Sequence, residues 1–135
     1  MTDRPDTQPL QQEWLLLQAQ HEPYELWTLA IKLTAVLLLA FAPVSALLLL
    51  ALLALLWLLD AIFKTFQARL AERLLQVERA LREPDSGLVA MQFNSQWQAQ
   101  RPGVGGLLAA YLRSACRPTV AFPYPLLMAL AVLLA

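Results

Sequence analysis

The sequence predicts an all-α integral membrane protein: an antiparallel transmembrane helical hairpin that continues into a cytoplasmic amphipathic helix, followed by a C-terminal hydrophobic helix. Three observations carry this reading. From Leu26 to Phe63 the chain runs 38 residues with only two ionisable side chains, Lys32 and Asp60, and a single proline, Pro43, near the middle. From Phe63 to Leu81 apolar residues recur at three- and four-residue spacing, the stripe of an amphipathic helix. From Thr119 to Ala135 there is no charge at all.

Composition agrees. The chain has 135 residues, 59% of them hydrophobic, and a net charge of zero. A soluble domain of this size would scatter its apolar residues at helix or strand period. Leu47 to Leu59 is instead leucine throughout, apart from Ala51, Ala54 and Trp57. A helix that is apolar around its whole circumference can be surrounded by lipid but not buried by a small soluble domain.

Residues 1–25 form a polar N-terminus. Residues 1–9 are polar and include Pro5 and Pro9, which predicts no ordered element. Glu13 to Gln20, with Trp14, Leu15, Leu16 and Leu17, predicts a short helix lying on the membrane surface with Trp14 at headgroup depth. Pro23 marks the entry to the first crossing, with Tyr24 and Trp27 as interfacial anchors. The hairpin occupies residues 26–63, with crossings at 26–42 and 46–63 around Ala42-Pro43-Val44-Ser45. A crossing takes about 20 apolar residues, so both are slightly short.

Charge orients the hairpin. Residues 1–31 carry Arg4 against Asp3, Asp6, Glu13, Glu22 and Glu25. Residues 61–119 carry eight cations (Lys64, Arg69, Arg73, Arg79, Arg82, Arg101, Arg113 and Arg117) against four acids. Loops rich in Lys and Arg stay in the cytoplasm, which places the basic segment and the N-terminus inside and the uncharged turn outside. The first 25 residues lack the basic and short apolar regions of a cleavable signal. The expected home is a cell membrane, as a multi-pass protein of a bacterial inner membrane.

Residues 64–83 continue the second crossing as a cytoplasmic amphipathic helix, which Pro84 ends. Its apolar face is Phe63, Phe66, Leu70, Leu74, Val77 and Leu81. Arg69 with Glu72, Glu78 with Arg82, and Arg79 with Glu83 stand at helical neighbour spacing, each pair stabilising a helix by about 0.2–0.5 kcal/mol. The apolar face needs a cover: the inner leaflet, the residues 86–117 segment, or a second copy of the chain.

Residues 84–118 form a cytoplasmic loop and short helix. Pro84-Asp85-Ser86-Gly87 and Arg101-Pro102-Gly103-Val104-Gly105-Gly106 are predicted turns. Between them, Met91, Phe93 and Trp97 fit either a short extended segment or an interfacial helix. Leu107 to Cys116 reads as a helix leading to Arg113 and Arg117, which are expected to meet anionic headgroups. Residues 119–135 form the C-terminal membrane helix. Pro118, Pro123 and Pro125 cluster at its start, where missing amide hydrogens cost least. From Pro125 only about 16 Å of helix remains, so the segment crosses with its C-terminus outside or crosses incompletely.

Lys32 and Asp60 form a proposed intramembrane ion pair. Counted from the turn, Lys32 lies opposite Trp57 and Asp60 opposite Leu29, so the charges stand about one helical turn apart. Charges within membranes are costly and often mark ion or proton paths; alternatively, Lys32 snorkels to the interface while Asp60 sits at the boundary. Only Thr28, Thr34 and Ser45 are available to line a path, which favours the second reading.

No catalytic, cofactor or metal constellation is present in the sequence. His21 stands alone, and the single cysteine, Cys116, has no partner for a disulfide or other soft ligands for zinc. Gly103, Gly105 and Gly106 lack the Lys and Ser or Thr of a phosphate loop, and the basic residues alternate with acids, unlike a nucleic-acid surface. The expectation is therefore a non-enzymatic protein with no cofactor and no nucleic-acid partner. It would act in the lipid bilayer as a structural or partner-binding subunit, through its membrane hairpin and cytoplasmic helix, as a homo-oligomer or with another membrane protein. Ala30, Ala35, Ala46, Ala51 and Ala54 could let helix backbones approach. The alternative is an oligomeric pore in which Lys32, Asp60 and Thr34 face a water-filled centre. In layout, leucine-rich crossings with a charged cytosolic helix, the chain resembles phage holins and two-helix membrane effectors of bacterial defence. No motif carries that likeness, so no residue role is transferred.

Overall fold

A computed structural model describes residues 7–83 and 86–134, and every regular element among them is helical. The expectations for residues 1–6, for Pro84 and Asp85 in the first turn, and for Ala135 lie outside the described residues. The elements are α1 (Gln8–Phe41), α2 (Ala46–Arg82), α3 (Phe93–Gln100), α4 (Val104–Ala115), α5 (Pro118–Ala121) and α6 (Tyr124–Leu133). Helices α1 and α2, of 34 and 37 residues, are long and apolar enough to cross a membrane.

The two long helices lie side by side in opposite directions. Their contacts step regularly away from the connection, from Lys32–Asp60 through Tyr24–Phe63 to Glu13–Arg73. Pro43 cannot donate a backbone hydrogen bond, and around it the chain turns in four residues. Ser45 caps α2, its hydroxyl accepting the Leu48 amide at 3.4 Å. From there α2 runs unbroken to Arg82, as the apolar stripe requires.

Helix α1 departs from the expectation of a separate surface helix ending before Pro23. It is one helix with Pro23 inside it. The proline removes one intrahelical hydrogen bond, a loss of about 3 kcal/mol in an isolated helix. Contacts on both sides of Pro23 hold the helix against α2, from Leu17 with Leu70 and Leu74 to Ala35 with Leu49 and Leu53. Trp14 packs against this cluster and donates from Nε1 to Glu78 Oε1 at 3.1 Å.

Packing divides into two ends. At the leucine-rich end, Ala35, Leu49, Leu53, Tyr124, Leu127 and Ala131 form one buried cluster. At the polar end, Leu17, Leu70, Leu74 and Val77 form another, edged by Leu10, Trp14, Tyr24, Leu81, Leu88 and Phe93. The apolar face predicted on α2 is therefore covered from within the chain, chiefly by the N-terminal half of α1, rather than left for a leaflet or a second copy. Of that face Phe66 remains exposed, and Phe63 meets the edge of Tyr24 with ring centroids 5.9 Å apart.

The C-terminal third is more broken than its hydropathy suggests. The segment around Phe93 and Trp97 is the short helix α3. Helix α4 starts at Val104, so the second turn is shorter than expected; a Cβ at Gly106 would come within 2.6 Å of the Pro102 ring, which keeps that position glycine. The residue before a proline is biased toward extended backbone. Arg117 (ψ 135°) and Phe122 (ψ 129°) adopt it, separating α4, α5 and α6 where one helix was expected from Thr119. Helix α6 has 10 residues, about 15 Å at the helical rise. The α5–α6 segment is bent by 74° from α4.

Candidate functional site

Among the described residues, charge is buried in two places, one beside the leucine-rich cluster and one at the polar end. At the leucine-rich end, Asp60 has no exposed surface. Lys32 Nζ stands 3.5 Å from Asp60 Oδ2 and donates to the Thr119 carbonyl at 2.7 Å. Tyr124 donates its hydroxyl to the same Asp60 oxygen at 3.4 Å, a long bond, and its ring stacks on Trp57 with centroids 6.1 Å apart and planes 11° apart. Trp57 Nε1 reaches the Ala115 carbonyl at 3.1 Å. The other carboxylate oxygen, Oδ1, has no hydrogen-bond partner among the described residues. This arrangement pins α5, α6 and the end of α4 to the α1–α2 pair.

The polar residues expected to line a path are not gathered around Asp60. Thr28 and Thr34 donate to carbonyls of their own helix, those of Glu25 and Ala30, and Ser45 caps α2 at the far turn. Thr34 faces outward. Among the described residues, the side chains in contact with the carboxylate are those of Lys32 and Tyr124.

The polar end holds a second pair that sequence reasoning missed. Arg73 Nε and Nη2 donate to the two oxygens of Glu13 at 2.8 and 3.2 Å. Arg73 also donates to Gln96 Oε1 at 2.8 Å and to the Val89 carbonyl at 3.1 Å, with a longer contact to Gln76 at 3.4 Å. Glu13 Oε2 in turn accepts the amide of Met91 at 2.8 Å. Both side chains are buried. Met91 has φ +60°, a conformation that L residues with side chains rarely adopt, and the bond from Glu13 helps to hold it there. The signal was present in the sequence: Arg73 interrupts the stripe between Leu70 and Leu74, and Glu13 lies on the helix face shared by Leu10 and Leu17.

Smaller polar contacts link the same elements. Gln67 reaches Glu25 at 3.5 Å, and the hydroxyls of Thr65 and Ser114 share a hydrogen bond at 2.8 Å, joining α2 to α4. The Arg69 guanidinium lies 3.7 Å from the centroid of Trp97 on α3 and 5.0 Å from that of Phe66. Burial lowers the Arg69 pKa from its ordinary value, an effect opposed by the facing Tyr111 hydroxyl. The ion pairs expected along α2 are absent among the described residues, where the pairs within 4 Å are Lys32–Asp60 and Glu13–Arg73. Glu78 is engaged by Trp14 and Arg69 by Trp97 instead.

Arg113 and Arg117 are exposed and make no ion pair among the described residues. Cys116 is exposed at the end of α4. Among the described residues no three His, Cys, Asp or Glu side chains stand close enough to hold a metal. Comparison of the chain with family models, with curated proteins and with solved structures finds no match.

Proposed function

We propose that this chain is a small, non-enzymatic integral membrane protein that serves as a structural or partner-binding subunit. In this reading residues 26–63 of α1 and α2 form a membrane hairpin with its N-terminus in the cytoplasm, in a cell membrane of bacterial inner-membrane type. The observation that carries it is an inverted surface. Leu47 is 80% exposed, Phe41 78% and Leu26 68%, while Asp60 between the same two helices is 0% exposed. Water would drive such leucines inward; lipid accepts them and drives the charge to the middle of the helix pair.

The covered stripe on α2 shifts the partner surface into the bilayer. Leu47, Ala51, Ala54 and Leu58 are exposed along one face of α2. Small residues at the centre of such a face let another helix approach closely, which is how helices associate in lipid. The full chain, purified in mild detergent, is expected to float with vesicles after an alkaline wash and to show a native mass above that of one chain. Ala51→Ile with Ala54→Ile is expected to return the mass to a single chain without preventing flotation. A monomer that remains in the aqueous fraction overturns the reading.

The pore alternative requires Lys32, Asp60 and Thr34 to share a water-filled centre. Asp60 faces into the chain and Thr34 faces out of it, which favours the subunit reading. Vesicles carrying the protein are accordingly expected to stay tight to ions, and a leak would turn the choice the other way.

A further inference from the structure

We propose that α4 is a lipid-binding helix of the inner leaflet surface, and this rests on the membrane reading above. Its apolar row of Val104, Leu108 and Leu112 seats in the acyl boundary, and Arg113 with Arg117 holds anionic headgroups. The row is spaced by four residues, one side of a helix, and its members are 76%, 56% and 65% exposed. Another side of the same helix is fastened to α2, where Ser114 is buried and meets Thr65.

Position and direction select lipid as the occupant. The C-terminal end of α4 is tied beside Trp57, and the next turn beside Lys32, where the leucine belt of α2 gives way to its charged stretch. The α5–α6 segment leads into the leucine-rich cluster, and α4 is bent from it by 74°, so α4 does not extend that segment deeper into the bilayer. A helix leaving the bilayer with an exposed apolar side and cations beside it matches the interfacial type, which binds by apolar burial together with attraction to anionic lipids. A second copy on this face would bring Arg113 and Arg117 against the same charges, and neither has an acidic partner among the described residues. Phosphate headgroups supply the missing anion.

The single cysteine provides the test, since Cys116 is exposed at the end of α4. The full chain carries an environment-sensitive fluorophore on Cys116 and is placed in vesicles of phosphatidylcholine with or without phosphatidylglycerol. Iodide quenching of the label is expected to fall severalfold between detergent and vesicles, and further when phosphatidylglycerol is present. Leu108→Asp with Leu112→Asp, both at exposed positions, restores quenching. Arg113→Gln with Arg117→Gln leaves the apolar row intact and abolishes the difference between the two lipid compositions. A protein that floats with vesicles while its label stays fully open to iodide overturns this proposal alone. Ready Cys116–Cys116 crosslinking that persists on dilution into excess lipid also overturns it, because the face then belongs to a second copy. A protein that does not float overturns the membrane reading as well.

Discussion

The two buried ion pairs solve the same problem with unequal means. Glu13–Arg73, at the polar end, is bidentate at 2.8 and 3.2 Å, and both partners spend their remaining capacity on Gln96, Val89 and Met91. Lys32–Asp60, at the leucine-rich end, is a single 3.5 Å contact with one carboxylate oxygen bare. A buried pair repays its desolvation only when geometry is good and the leftover donors and acceptors are satisfied. The first pair meets that condition and ties four segments together. In the second, Lys32 reaches the Thr119 carbonyl but Asp60 keeps one oxygen without a donor among the described residues, so it holds the C-terminal segment with less.

Breaking the better-satisfied pair is expected to do the most damage. Glu13→Ala leaves the Arg73 charge buried and its neighbours short of an acceptor, a loss of about 3–5 kcal/mol, measurable by denaturant unfolding in detergent micelles. Glu13→Leu with Arg73→Met is expected to recover much of that loss, since no unpaired charge remains. A double variant as unstable as Glu13→Ala would show that the wider network, and not the pair, sets the stability.

Lys32→Ala is expected to cost less, about 1–3 kcal/mol, and Lys32→Ala with Asp60→Ala to cost less than Lys32→Ala alone. The difference between the single and double changes gives the coupling within the pair. Equal damage from both would mean that Lys32 acts through the Thr119 carbonyl alone, and the contrast between the two ends would sharpen further. Tyr124→Phe should be the mildest, about 0.5–1.5 kcal/mol, because the stacking on Trp57 survives and only the hydroxyl contact to Asp60 is lost.

What the sequence allowed to be read follows from range. The turn at Pro43 and the unbroken run of α2 through Phe63 to Arg82 were legible because each rests on a local pattern many residues long. The nearness of Lys32 and Asp60 follows from counting outward from that turn, and the structure puts 3.5 Å between them. Pro23 misled because a proline penalty is local while the contacts that offset it come from α2. The division of the last hydrophobic stretch into α5 and α6 was hinted at by three prolines, yet hydropathy alone reads it as one helix. Glu13 and Arg73, 60 residues apart, share no local pattern, and only their intrusion on two apolar faces marked them. The cover of the α2 stripe was equally invisible, since nothing in the stripe names the segment that lies on it.

Glu13 also depends on residues far along the chain. The donors it requires are made 60 and 78 residues after it, so a nascent α1 leaves the ribosome with a carboxylate that has no match. The two long helices are both complete, and able to pair, before Met91 exists. Closure of the polar end therefore waits for residues made after α2 is complete, and a chain halted before Val89 would lack the groups that latch Glu13 and Arg73 in place.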